Sequence, residues 1–123
     1  MFKIVPISIY NSDIVVCINV NEKQLYRKFS HLFDDKEQFN EVFNFSVSTT
    51  ARTIQAPSGF VIIILKDLED IGIIAHESLH ATSYILSHRG IYFSEETEEV
   101  YSYLLGYIVN KIVELKKRST SES

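Results

Sequence analysis

His76-Glu77-Ser78-Leu79-His80 sets two imidazoles four residues apart, with a carboxylate directly beside the first. On a helix that spacing projects both rings from one face, one turn above the other, which lets both reach a single zinc ion. Glu77 can then point at the open coordination position without ligating the ion, and accept a proton from a polarised water as general base. The chemistry this pattern would perform is metal-assisted hydrolysis.

A catalytic zinc site also wants a third protein ligand and a fourth position for water. Four carboxylates follow downstream: Glu95, Glu96, Glu98 and Glu99. Eighteen residues separate His80 from Glu99, including Gly90 and Ile91-Tyr92-Phe93, enough for the chain to reverse. At about 100° per residue Glu99, Tyr103, Gly106 and Asn110 share one side of a helix, and Val100, Tyr101, Leu104, Ile108 and Ile112 another. Gly106 would let a neighbouring helix approach closely, so this helix is predicted to pack on two sides with Glu99 in an interface. A carboxylate there is costly unless paired or metal-bound. Glu95 and Glu96 read as solvated charges near a helix N-terminus. Glu98 rivals Glu99, because periodicity alone does not separate the two.

The elements that must position these residues can be read along the chain. Phe2 to Tyr10 alternates as a strand in which Pro6 implies an edge or a bulge, Asn11-Ser12-Asp13 is a turn, and Ile14 to Val20 is a second strand. Together they predict an antiparallel hairpin. Asn21 can cap an amphipathic helix whose Leu25, Tyr26, Phe29, Leu32 and Phe33 recur at helical spacing, and Phe39, Val42 and Phe43 suggest a further short helix. Ser46 to Thr50 reads as a polar loop, Ala51 to Ala56 as a short strand, and Phe60 to Leu65 as a strand buried on both faces at or near the sheet centre. Two helices then dominate: Asp67 to Ser87, stopped at Gly90, and Ser94 to Lys117, capped by Ser94 or Thr97.

With 123 residues, 46% of them hydrophobic and 23% charged, the chain suits one domain with a single core. We expect that domain over 1–118, followed by a flexible tail at 119–123 in which Lys116-Lys117-Arg118 complements a helix C-terminus. A net charge of -4 with no other basic cluster argues against a nucleic-acid partner. The longest apolar run, Val61 to Leu65, falls far below the roughly 20 residues of a membrane-spanning helix. The lone Cys17 and the absence of a leader-like N-terminus point to a cytoplasmic protein. His31 and His88 read as surface or packing residues.

The segment from Ile73 to Ile108 resembles the core of the zincin metallopeptidases, in particular the branch whose third ligand is a glutamate on the helix after HExxH. It is also similar to small zincin-like proteins of tailed phages, and the likeness spans roughly residues 71 to 109. The resemblance implies an α+β fold: a minimal zincin-like domain with an N-terminal β-hairpin, a small, mainly antiparallel sheet, and a C-terminal helix pair carrying the motif and the downstream glutamate. It implies one Zn2+ per chain held by His76, His80 and Glu99, Glu77 as the base, and a peptide or protein substrate held along a sheet edge, in the host cytoplasm if the protein is phage-encoded. The stretch Glu98-Glu99-Val100-Tyr101-Ser102-Tyr103 lacks the family's carboxylate partner for a zinc-bound histidine, so Asp67, Asp70 or a backbone carbonyl would have to orient the imidazole. Tyr84, Tyr92, Tyr103 and Arg89 are the candidates to stabilise charge in the transition state, with Tyr103 and Tyr92 placed first. The alternatives are a catalytically inactive zincin-fold binding protein, such as a phage protein engaging a host or virion component, and a hydrolase acting on another bond.

Overall fold

A computed structural model describes residues 1–44 and 51–122, with side chains as far as Lys116. The predicted loop at Ser46 to Thr50 lies outside the described residues, and the predicted tail at 119–123 lies beyond the described side chains.

The chain forms an α+β fold around a four-stranded sheet. Strand β1 (Phe2–Ile7) and strand β2 (Ser12–Ile18) make the expected hairpin, with a 3-10 turn at Ser8–Tyr10 between them. Helix α1 (Glu22–Phe29) opens on a capping box: the Asn21 side chain accepts from the Gln24 N–H, and the Gln24 side chain accepts from the Asn21 N–H. A 3-10 turn at Ser30–Leu32 ends it earlier than the apolar spacing suggests, and Asp35 caps the separate helix α2 (Lys36–Phe43). Strands β3 (Ala51–Gln55) and β4 (Val61–Leu65) form a second antiparallel pair.

The strand order is β1-β2-β4-β3, and β2 runs parallel to β4. The sheet is therefore mixed: two of its three ladders are antiparallel, and the parallel one sits at its centre. Parallel neighbours need a crossover, which α1 and α2 supply after β2. Both sheet faces are apolar, and the side-chain period of two sorts them. Ile14, Val16, Ile18, Val61, Ile63 and Leu65 belong to one core cluster, with Ile74, Ala81, Ile85, Leu104, Ile108 and Ile112 from the C-terminal helices. Val15, Cys17, Ile54 and Ile62 face the other way, onto Leu25, Phe29, Phe33, Phe39 and Phe43 of the α1–α2 region. Phe39 stacks on Phe43 at 4.3 Å, and Phe33 meets both rings edge-on, so four phenylalanines close that layer. The Arg52 guanidinium on β3 donates to the carbonyls of Phe43 and Asn44 and ties the end of α2 to the sheet.

The two C-terminal helices cover the opposite face. Helix α3 (Ile71–His88) starts later than Asp67, because the Asp67 side chain accepts from the Glu69 N–H in a tight turn and Asp70 caps the helix through the Ile73 N–H. Gly90, at φ +77°, accepts the left-handed conformation that ends the helix segment, as expected. Helix α4 (Glu98–Glu122) returns antiparallel to it, so Lys116 near its far end pairs with Glu69 just ahead of α3 at 2.8 Å. No helix among the described residues is long and apolar enough to cross a membrane.

Burial in the middle of β2 pushes the Cys17 thiol up from its ordinary value near 9.0 to about 12. The folded chain keeps the thiol protonated while the unfolded chain ionises it, so stability from this group is complete below pH 9 and lost as pH rises from about 9 to about 12. Between pH 8 and pH 10.5 the wild type should lose on the order of 2 kcal/mol more unfolding free energy than Cys17→Val, measured by urea denaturation. Equal slopes for the two proteins would contradict the assignment.

Candidate metal and hydrolytic site on helix α3

Helix α3 presents three different environments around its circumference. Ile74, Ser78, Ala81, Thr82, Ile85 and Leu86 are buried, His76, Leu79 and His80 are exposed, and Glu77 lies at the margin, only 7% exposed. The helix is thus apolar enough to be anchored on the sheet while it keeps its two imidazoles in solvent.

The imidazoles converge. His76 Nε2 and His80 Nε2 stand 3.3 Å apart, with ring centroids 4.9 Å apart. Two nitrogens each about 2.0–2.1 Å from one ion at the tetrahedral angle would stand roughly 3.3–3.4 Å apart. With no ion present the same separation allows a hydrogen bond between the two rings, one tautomer donating to the other. On donor chemistry and spacing the pair therefore fits a zinc-type ion at two of its positions. Glu77 lies next to this point: its Oε2 is 4.0 Å from His76 Nε2. Its other oxygen is held from behind, where Thr53 Oγ1 on β3 donates to Glu77 Oε1 at 2.7 Å and also stands 3.0 Å from the Glu77 carbonyl oxygen.

The downstream glutamates are arranged differently from the expectation. Glu99, Tyr103, Gly106 and Asn110 do share one side of α4, but all four are exposed, and a Cβ on Gly106 would meet nothing within 4 Å. The helix packs through Tyr101, Leu104, Ile108, Ile112 and Leu115 instead, so the Glu99 side faces solvent rather than an interface. Glu98, its neighbour in the first turn of α4, is exposed as well. Among the described residues no three His, Cys, Asp or Glu side chains gather closely enough to hold an ion.

The remaining candidates are dispersed. Tyr84 continues the His76–His80 face by one turn, with its ring 6.4 Å from that of His80. Tyr103, 77% exposed, lines a groove with Ile7, Ile9, Tyr10 and Tyr107 on the β1 side of α4, and Tyr92 is exposed in the connector. Arg89 donates to the Ile85 carbonyl at 2.9 Å and to the Tyr10 carbonyl, which pins the end of α3 to the hairpin. His88 covers the turn at Gly59, where an added Cβ would come within 2.9 Å of its ring. Asp67 and Asp70 serve the start of α3, and no contact joins either to an imidazole. Thr53 is the site residue that sequence reasoning missed, since nothing in a strand of five residues announces which helix it will face.

Compared with protein-family models, curated proteins and solved structures, the chain matches none.

Because the two imidazoles supply the convergent donors, His80→Ala should weaken zinc binding at least tenfold in calorimetric titration, with the fold intact by circular dichroism. Zinc affinity unchanged in His80→Ala would show that the pair is not the site.

Proposed function

We propose that the protein is a zinc-dependent, zincin-like hydrolase that cleaves peptide bonds, with the metal held by His76, His80 and a carboxylate from the first turn of α4. The observation that carries this reading is the 3.3 Å approach of His76 Nε2 and His80 Nε2, with Glu77 Oε2 4.0 Å from the former. Glu99 is the third ligand by resemblance, and Glu98, its neighbour in the first turn of α4, is the alternative. Either needs the first turn of α4 to approach the imidazoles.

A divalent ion held by His76 and His80 would supply Lewis acidity and lower the pKa of a bound water. Glu77 would accept a proton from the attacking water on Oε2 and return it to the leaving amine as the peptide C–N bond breaks. Tyr84, its ring 6.4 Å from that of His80, would be the phenol to donate to the carbonyl oxygen as negative charge develops there. Strand β3 is the sheet edge next to α3, and an extended peptide can pair with its outer side by strand addition. The same arrangement suits amide bonds in folded and unfolded proteins alike, provided the segment is extended.

A second reading draws on the separation between the α4 glutamates and the imidazoles: a zincin-fold binding protein, for example of phage origin, without hydrolytic activity. The two readings part in one experiment. Zinc-loaded wild type, incubated with a peptide library and followed by mass spectrometry, should cut a subset of peptides, and Glu77→Gln should lower that cleavage about a hundredfold or more while still binding zinc. Full cleavage by Glu77→Gln contradicts the mechanism, and no cleavage by zinc-loaded wild type selects the binding protein.

A further inference from the structure

The Thr53 hydroxyl stands within hydrogen-bond distance of two Glu77 oxygens, the side-chain Oε1 and the backbone carbonyl, and Glu77 is the buried acidic residue of the site. We infer that Thr53 is a positioning residue for the base, fixing the Glu77 carboxylate so that Oε2 faces the imidazoles. The inference rests on the hydrolase reading for its catalytic consequence, and on geometry alone for the positioning.

A glutamate has three side-chain torsions, and a base useful in catalysis must hold them within a narrow range. Thr53 can impose that range because it is itself stiff. It is β-branched, which restricts χ1, and its backbone is held in the ladder with β4 opposite Ile63. Its single hydroxyl proton is shared unequally: the carboxylate, the charged and nearer acceptor at 2.7 Å, takes the stronger arm, and the Glu77 carbonyl at 3.0 Å the weaker. With Oε1 engaged on the strand side, Oε2 is left 4.0 Å from His76 Nε2. Thr53 also belongs to the edge strand, so the base is registered to the same strand on which a peptide would be laid.

The test compares wild type with Thr53→Val, which removes the hydroxyl at nearly constant shape, Thr53→Ala in case valine disturbs the ladder, and Thr53→Ser, which restores the hydroxyl. In protein carrying 13C-labelled glutamate, three-bond couplings should report one Glu77 rotamer in wild type and Thr53→Ser, and rotamer averaging in Thr53→Val and Thr53→Ala. Titration with zinc alone should give affinities within about threefold for all four proteins, since Thr53 is no ligand. Cleavage of fluorescein-labelled casein should fall roughly ten- to a hundredfold in the valine and alanine variants, through kcat rather than KM, and recover in the serine variant. A single, unchanged Glu77 rotamer in both variants that lack the hydroxyl would overturn the inference. Rotamer averaging in those variants, together with no casein cleavage by wild type, would uphold the positioning and remove the hydrolase reading.

Discussion

Glu77 is the one Asp or Glu that the fold takes out of water among the described residues, and its place at the seam between α3 and β3 constrains everything around it. A buried carboxylate without partners is costly, so the strand beneath must supply a hydroxyl and the helix must lie at the level where that hydroxyl can be reached. Thr53 meets both conditions through two contacts with one residue of α3. Once Glu77 is fixed there, the rotation of α3 is fixed too. Ile74, Ala81 and Ile85 turn onto the sheet, and His76 and His80 turn into solvent with their Nε2 atoms 3.3 Å apart.

The rest of the architecture follows from a sheet that is apolar on both faces. Such a sheet needs helices on each side. The phenylalanine layer of α1 and α2 covers one face, the α3–α4 pair covers the other, and the helix carrying His76, Glu77 and His80 is thereby held on a packed support rather than a loop. The parallel pairing of β2 with β4 puts β3 at the outer position next to α3, which leaves one sheet edge beside the imidazoles.

Much of this was legible in the residues. The hairpin, the Asn21 cap, the buried strand at Val61–Leu65, the Gly90 stop and the α3–α4 pair all follow from local signals that act over a few residues. The HExxH spacing likewise foretells convergent imidazoles, because four residues are close to one helical turn. What escaped the sequence depends on non-local packing. Periodicity grouped Glu99, Tyr103, Gly106 and Asn110 correctly on one side of α4, yet it carries no information on which side meets a neighbour, and that group faces solvent. The parallel ladder and the contact from Thr53 to Glu77 join segments 24 residues or more apart and leave no periodic trace.

The central claim is that His76 and His80 hold a zinc ion with Glu77 facing it from a fixed position. Anomalous diffraction at the zinc edge, from crystals of the protein grown with zinc, tests it most directly. The account predicts one peak about 2.0–2.1 Å from both Nε2 atoms, with a carboxylate from the first turn of α4 alongside and Glu77 Oε2 near the ion but not bound to it. A peak elsewhere on the protein, or direct ligation by Glu77 with one imidazole free, would contradict it.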